Sequence, residues 1–172
     1  MGDLYDKVTS DQDPITKIIA KIPGFDGYIE RQSRRRADQL LRQQIASHFS
    51  DLRTRVGVLQ QDFAGEGELD MLDDLETAAT KLQTFIDKVQ HAAHGYSGFF
   101  DAVKINEDEL LKLYQFDLAL LEMEEEIGRA IDNIQASVGT DGLPASVRNL
   151  ISLTRDLVAA FDRRDEVITN IE

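Results

Sequence analysis

Apolar residues four and three positions apart run through most of this chain. Leu72, Leu75, Ala79, Leu82, Ile86, Val89, Ala93 and Tyr96 hold that rhythm without a break. Ile45, Phe49, Leu52, Val56, Leu59 and Phe63 hold it before them. An average step of about 3.5 residues draws one apolar stripe along a helix, whereas a half-buried strand needs strict alternation. Beyond Asn106 a third stripe comprises Leu113, Leu120, Ile127, Ile131, Ile134 and Val138, widened by Leu110, Tyr114, Leu118 and Leu121. Val147, Ile151, Leu157, Val158, Phe161, Ile168 and Ile171 form a fourth. No alternating β-branched run competes with these patterns.

Glycine and proline punctuate the chain at Pro23-Gly24, Gly27, Gly65, Gly67, Gly95, Gly98, Gly139, Gly142 and Pro144. A short helix is expected first, capped by Asp13, opened by Pro14, striped by Ile15, Ile18, Ile19 and Ile22, and ended by Pro23-Gly24. Long helices are expected over residues 28–63 and 66–96, then from Asn106 and from Pro144 nearly to the end. Asn106 with Glu109 three residues on resembles a capping box, and Ser97 in Gly-Tyr-Ser-Gly reads as a turn. Helices of about 28–35 residues would span roughly 42–53 Å.

The expected fold is therefore all-α: four long antiparallel helices in an up-down bundle with coiled-coil-like packing, preceded by a short N-terminal helix. One domain is expected over residues 14–172, with residues 1–13 a flexible acidic terminus. The alternative is an open pair of helical hairpins that completes its core by dimerising. Up-down connectivity puts the turns at 64–67 and 139–143 at one end. The segments 23–28 and 95–105 fall at the other, where Pro-Gly-Phe-Asp-Gly-Tyr and Gly-Tyr-Ser-Gly-Phe-Phe-Asp interleave glycine with aromatic rings.

Cysteine is absent, which excludes disulfides, thiolate metal sites and cysteine nucleophiles. The acidic start lacks the pattern of a secretory signal, and no stretch nears the roughly 20 apolar residues that span a bilayer. A cytoplasmic protein without a membrane span is expected. A net charge of −13 argues against nucleic acid as a partner. That charge is uneven: residues 29–63 carry seven Arg against four acids, and residues 106–143 carry ten acids against two bases.

The candidate polar cluster is Arg31, Arg35, Asp38, Arg42, His91, His94 and Asp117. Asp117 and Glu124 fall on the third stripe, where an acid is costly unless paired. By height along the bundle, Arg35 or Arg42 is the expected partner of Asp117 in a partly buried ion-pair layer that fixes register; the alternative is that these charges sit on solvated faces and pair loosely. The arginine-rich stretch could also hold a small anion, although neutralisation by the acidic third helix fits the charge balance better. A di-iron bundle requires Glu-x-x-His motifs, and the sequence has none. Asp87, His91 and His94 share a helix face and could hold a surface metal ion, but they are too few for a di-metal site and read better as ordinary exposed groups. Phosphate loops, dinucleotide fingerprints and nucleophile elbows are missing. No catalytic residue, cofactor or metal is assigned.

The sequence thus points to a non-enzymatic helical module that binds another protein or itself. The rival is a ligand- or metal-binding bundle, an enzyme among the options, with a site at the glycine-aromatic end drawing on Tyr28, Arg31, Arg35, His91, His94, Tyr96 and Tyr114.

Overall fold

The computed structural model describes residues 14–92, 96–102 and 105–169. The expected flexible terminus at 1–13 lies outside them, as do His94 and Ile171. Within the described residues the chain is all-helical. Six α-helices run in order: α1 (Pro14–Lys21), α2 (Arg34–Glu66), α3 (Leu72–His91), α4 (Ser97–Phe100), α5 (Glu107–Ser137) and α6 (Leu143–Thr169). A 3-10 turn, Leu69–Met71, leads into α3. Among these residues no helix is long and apolar enough to cross a membrane.

Most of the apolar stripes are the core, but Ile19 of the first stripe is 47% exposed, and Leu72, Val138, Ile151 and Val158 are half-buried. Each of Ile45, Phe49, Leu52, Val56, Leu59 and Phe63 is buried, and so are Leu75, Ala79, Leu82, Ile86 and Val89. The long helices touch in the cyclic order α2, α3, α6, α5. Contacts between α2 and α3 run in opposite directions: Arg42 meets Val89, Phe49 meets Phe85 and Gln60 meets Glu76. The same holds for α5 and α6, where Asp117 meets Arg164 and Ser137 meets Ser146. Contacts between these two hairpins instead advance together. His48 and Arg55 of α2 meet Glu124 and Asp132 of α5, while Phe85 and Lys88 of α3 meet Phe161 and Asp162 of α6. α1 packs on α5, with Lys21 paired to Glu125.

Several boundaries differ from the sequence reading. α2 begins at Arg34, not near residue 28, because Tyr28 is committed elsewhere: its amide donates to the Tyr114 hydroxyl at 2.6 Å, and its side chain is buried. α2 ends at Gly67, where φ of 81° lets the backbone N–H turn back to the Phe63 carbonyl. α3 has only 20 residues, well short of the expected 28–35. Ser97, expected in a turn, starts the four-residue helix α4. Asn106 does cap α5: its side chain accepts from the Asp108 amide at 2.9 Å, and Glu109 accepts from the Asn106 amide at 3.3 Å.

Residues Glu68–Met71 and Gly139–Pro144 line a common hollow at one end. At the other, Arg34 ties the two glycine-aromatic segments together. Its guanidinium donates to the carbonyls of Tyr28 at 2.7 Å, Ile29 at 3.3 Å and Ala102 at 2.8 Å. Buried carbonyls without a partner would cost about 1–3 kcal/mol each, so one arginine here replaces a stretch of secondary structure.

Candidate functional site

The interior of the glycine-aromatic end is filled by rings. Tyr28 stacks on Tyr114 with centroids 5.2 Å apart, meets Phe25 edge-on at 5.3 Å and leans on Phe100 at 6.0 Å. Phe100 in turn meets Phe99 and Tyr96. All six aromatic residues are buried. Gly27 makes this approach possible. Its φ is +88°, and a β-carbon there would stand 2.9 Å from the Tyr114 hydroxyl.

One layer deeper lies a buried polar network centred on Arg164 of α6. Its Nε donates to Asp117 Oδ1 at 2.5 Å, and its Nη2 donates to Asp38 Oδ1 at 2.6 Å. The Tyr28 hydroxyl donates to the other Asp117 oxygen at 2.6 Å. Arg42 donates from Nε to Asp38 Oδ2 at 2.8 Å and from Nη1 to the Val89 carbonyl at 3.1 Å. Val89 lies in the last turn of α3, whose carbonyls have no helical partner, so the cation serves a helix C-terminus. The layer thereby touches all four long helices.

Electrostatics follow from burial. Asp117 is pushed up to about 6, mainly because its carboxylate is fully removed from water, with Arg164 and the Tyr28 hydroxyl pulling the other way. Burial alone would weaken the charge on Arg164, but Asp117 and Asp38 more than offset it and hold the guanidinium protonated. The phenols of Tyr28 and Tyr96 are both raised, chiefly by burial, so both stay neutral hydrogen-bond donors. Tyr96 donates to Asp165 at 2.6 Å.

The expected ion-pair layer exists, but its partners differ. Asp117 pairs with Arg164, not with Arg35 or Arg42. Arg42 sits next to Asp117 only through Asp38. Arg35 is exposed on α2 and forks onto Asp101, with contacts of 3.0 and 2.5 Å. Asp38 and Asp101 neutralise Arg42 and Arg35, while α5 supplies Asp132 to Arg55 further along α2. Arg31 is exposed, and so is His91, whose Nδ1 contacts the Asp87 carbonyl at 2.7 Å. The Asp87 carboxylate accepts from Gln83 instead of facing His91, and among the described residues no three acids or histidines could hold a metal ion. Glu124, the other acid on the third stripe, is half-buried beside His48 at 3.0 Å.

Arg164 and Arg34 are the residues that the sequence reading missed. A signal for Arg164 was present. It falls between Phe161 and Ile168 in the four-three-four spacing of Leu157, Phe161, Arg164 and Ile168, the place of a core residue. Arg34 carried no comparable mark among its arginine neighbours.

Beside the packed rings, on the outer face of α2, lies an open cleft of about 420 Å³. Arg35, Asp38, Gln39 and Arg42 of α2 line it, facing Gln90 and Tyr96. The Arg42 guanidinium lies 5.8 Å from the centre of the Tyr96 ring. A second, broader groove runs between α5 and α6, where Phe116, Ala119 and Val167 are flanked by Lys112, Arg163 and Glu166. Comparison of the chain with protein families, with curated proteins and with solved structures finds no match.

Proposed function

We propose that this chain is a non-enzymatic helical module that works by protein–protein association, with a second copy of itself as the first partner to test. Its four long helices are read as two antiparallel hairpins laid side by side into a bundle, direction alternating along the chain while neighbours across the hairpin interface run parallel. The pairwise contacts between helices support that arrangement.

The observation that carries the reading is the groove between α5 and α6. Phe116, Ala119 and Val167 leave an apolar strip on an outer face, with charged residues of both signs at its rim. Leu111, 40% exposed, stands one helical turn before Gln115 of that groove. An apolar centre with a polar rim is the anatomy of an association surface. The interior polar groups, by contrast, are engaged with one another. Asp38 accepts from two arginines, and Asp117 from an arginine and a tyrosine, which is how a layer that fixes register is built.

Light scattering across a concentration series tests the proposal. The weight-average mass is expected to rise above the 19.4 kDa of one chain, and Phe116→Glu is expected to hold it there. A strict monomer at every concentration refutes self-association, and an unchanged association curve for Phe116→Glu refutes the groove.

A further inference from the structure

We propose that the cleft on the outer face of α2 binds a small oxyanion, a carboxylate or phosphate group carried on a compact polar molecule. This is independent of the α5–α6 groove. A volume of about 420 Å³ falls within the range of small-molecule sites, about 300–1,000 Å³.

Arg42 is the anchor. It is fixed on three sides, by Asp38 through Nε, by the Val89 carbonyl through Nη1 and by the ring of Tyr96. Its Nη2 makes no hydrogen bond to a described residue and lies on a guanidinium that lines the cleft. A guanidinium already held in place loses little freedom when an oxyanion docks on it, and its planar fork matches carboxylate and phosphate oxygens.

The acid at the cleft leaves one donor of this cation unused. Asp38 is buried, and each of its oxygens is already gripped by an arginine: Oδ2 by Arg42 and Oδ1 by Arg164. Behind it, Nη1 of Arg164 is buried with no hydrogen-bond partner among the described residues. Behind the cleft wall two carboxylates, Asp38 and Asp117, balance two guanidiniums, and the donor to spare in the cleft itself is Nη2 of Arg42. Arg35 adds a third at the mouth, where Asp101 occupies its Nε and Nη2.

The remaining wall sets the body of the ligand. Gln39 and Gln43 lie one turn apart on α2, and Gln90 comes from α3. Neutral amides both donate and accept, which suits hydroxyl or amide groups next to the anion. A cleft of this size, with no lysine on its wall, suits a small molecule better than a nucleic-acid backbone.

The test is nuclear magnetic resonance on the full, isotope-labelled chain, titrated separately with citrate and with pyrophosphate at constant ionic strength. Saturable shifts are expected at the side-chain amides of Gln39, Gln43 and Gln90 and at Nε of Arg42, with dissociation constants of about 1 mM or tighter. Saturation by one probe and not the other supports the site and assigns the anion. Gln43→Glu, a change at an exposed position, is expected to weaken binding about tenfold or more by placing a carboxylate in the cleft. Circular dichroism confirms that this variant is folded. If neither probe saturates by about 10 mM, the proposal falls. It falls equally if the shifts spread to the exposed Arg31 and Arg36, or if Gln43→Glu binds as tightly as the parent chain.

Discussion

Replacing Arg164 by Met tests what holds the polar layer together. The side chain is fully buried and lies between two buried carboxylates. Methionine fills a similar volume but offers neither charge nor donor. Asp38 would keep Arg42, and Asp117 would keep the Tyr28 hydroxyl, but a site of two acids and two arginines would be left with one arginine. Breaking a buried pair from one side costs about 3–5 kcal/mol, because the remaining charge stays out of water. Set against a typical total stability of about 5–15 kcal/mol, that is a large share. For a chain of this size it corresponds to a fall in melting temperature of roughly 6–20 °C.

Urea unfolding followed by far-ultraviolet circular dichroism reads the loss directly, with an unchanged slope as the check that the two-state comparison holds. A companion variant sharpens the reasoning. Arg164→Met with Asp117→Leu and Tyr28→Phe removes a complete set of partners and leaves Asp38 with Arg42. Apolar replacement of a whole buried network is often neutral, so this triple variant is expected to recover most of what the single one loses. A loss below about 1 kcal/mol for Arg164→Met refutes the account of a tightly coupled buried layer. A triple variant less stable than the single one refutes the account that the loss comes from uncompensated charge.

The pH dependence of stability isolates Asp117. Its folded value of about 6 lies above the roughly 3.9 of an unfolded aspartate, so between those values the folded chain holds a proton that the unfolded chain has released. The contribution of this group is fully present below about pH 4 and is lost as pH rises through about 6, a change of about 3 kcal/mol. In Asp117→Asn this part of the profile is expected to flatten; denaturant titrations of both chains from acid to neutral pH, showing equal slopes, would contradict the assignment. Gly27→Ala should cost about 2–4 kcal/mol, from a left-handed backbone and from a β-carbon displacing the Tyr114 hydroxyl that accepts the Tyr28 amide. Gly139→Ala, with φ of +77° but open space around it, should cost only the backbone part, about 1–2 kcal/mol. Equal melting temperatures for the two alanine variants would show that the ring contact at Gly27 carries no weight.

The four-three spacing of apolar residues determined, without any structure, that the chain is helical and which face of the long helices is hidden. Those are local properties, set within one or two turns by the geometry of the helix itself. The capping box at Asn106 was legible for the same reason, because donor and acceptor lie three residues apart. The partial burial expected of Asp117 followed from its step with Leu113 and Leu120, but Glu124 on the same stripe is half-buried, so spacing alone did not set the depth.

Only the tertiary structure decided what Asp117 meets. Arg35 and Arg42 stood within reach by height along the bundle, and the spacing around Arg164 marks it as a core position without saying which acid it meets. The choice followed from which helices pack together: α6 packs against α5 and brings Arg164 opposite Asp117, while Arg42 faces Asp38 one turn back on its own helix. The late start of α2 was hidden in the same way, because Tyr28 leaves the helix for a hydroxyl 86 residues away. Local spacing fixes what a segment prefers; a charge buried between segments is settled by the partner that packing delivers, since removal from water leaves it no other source of compensation.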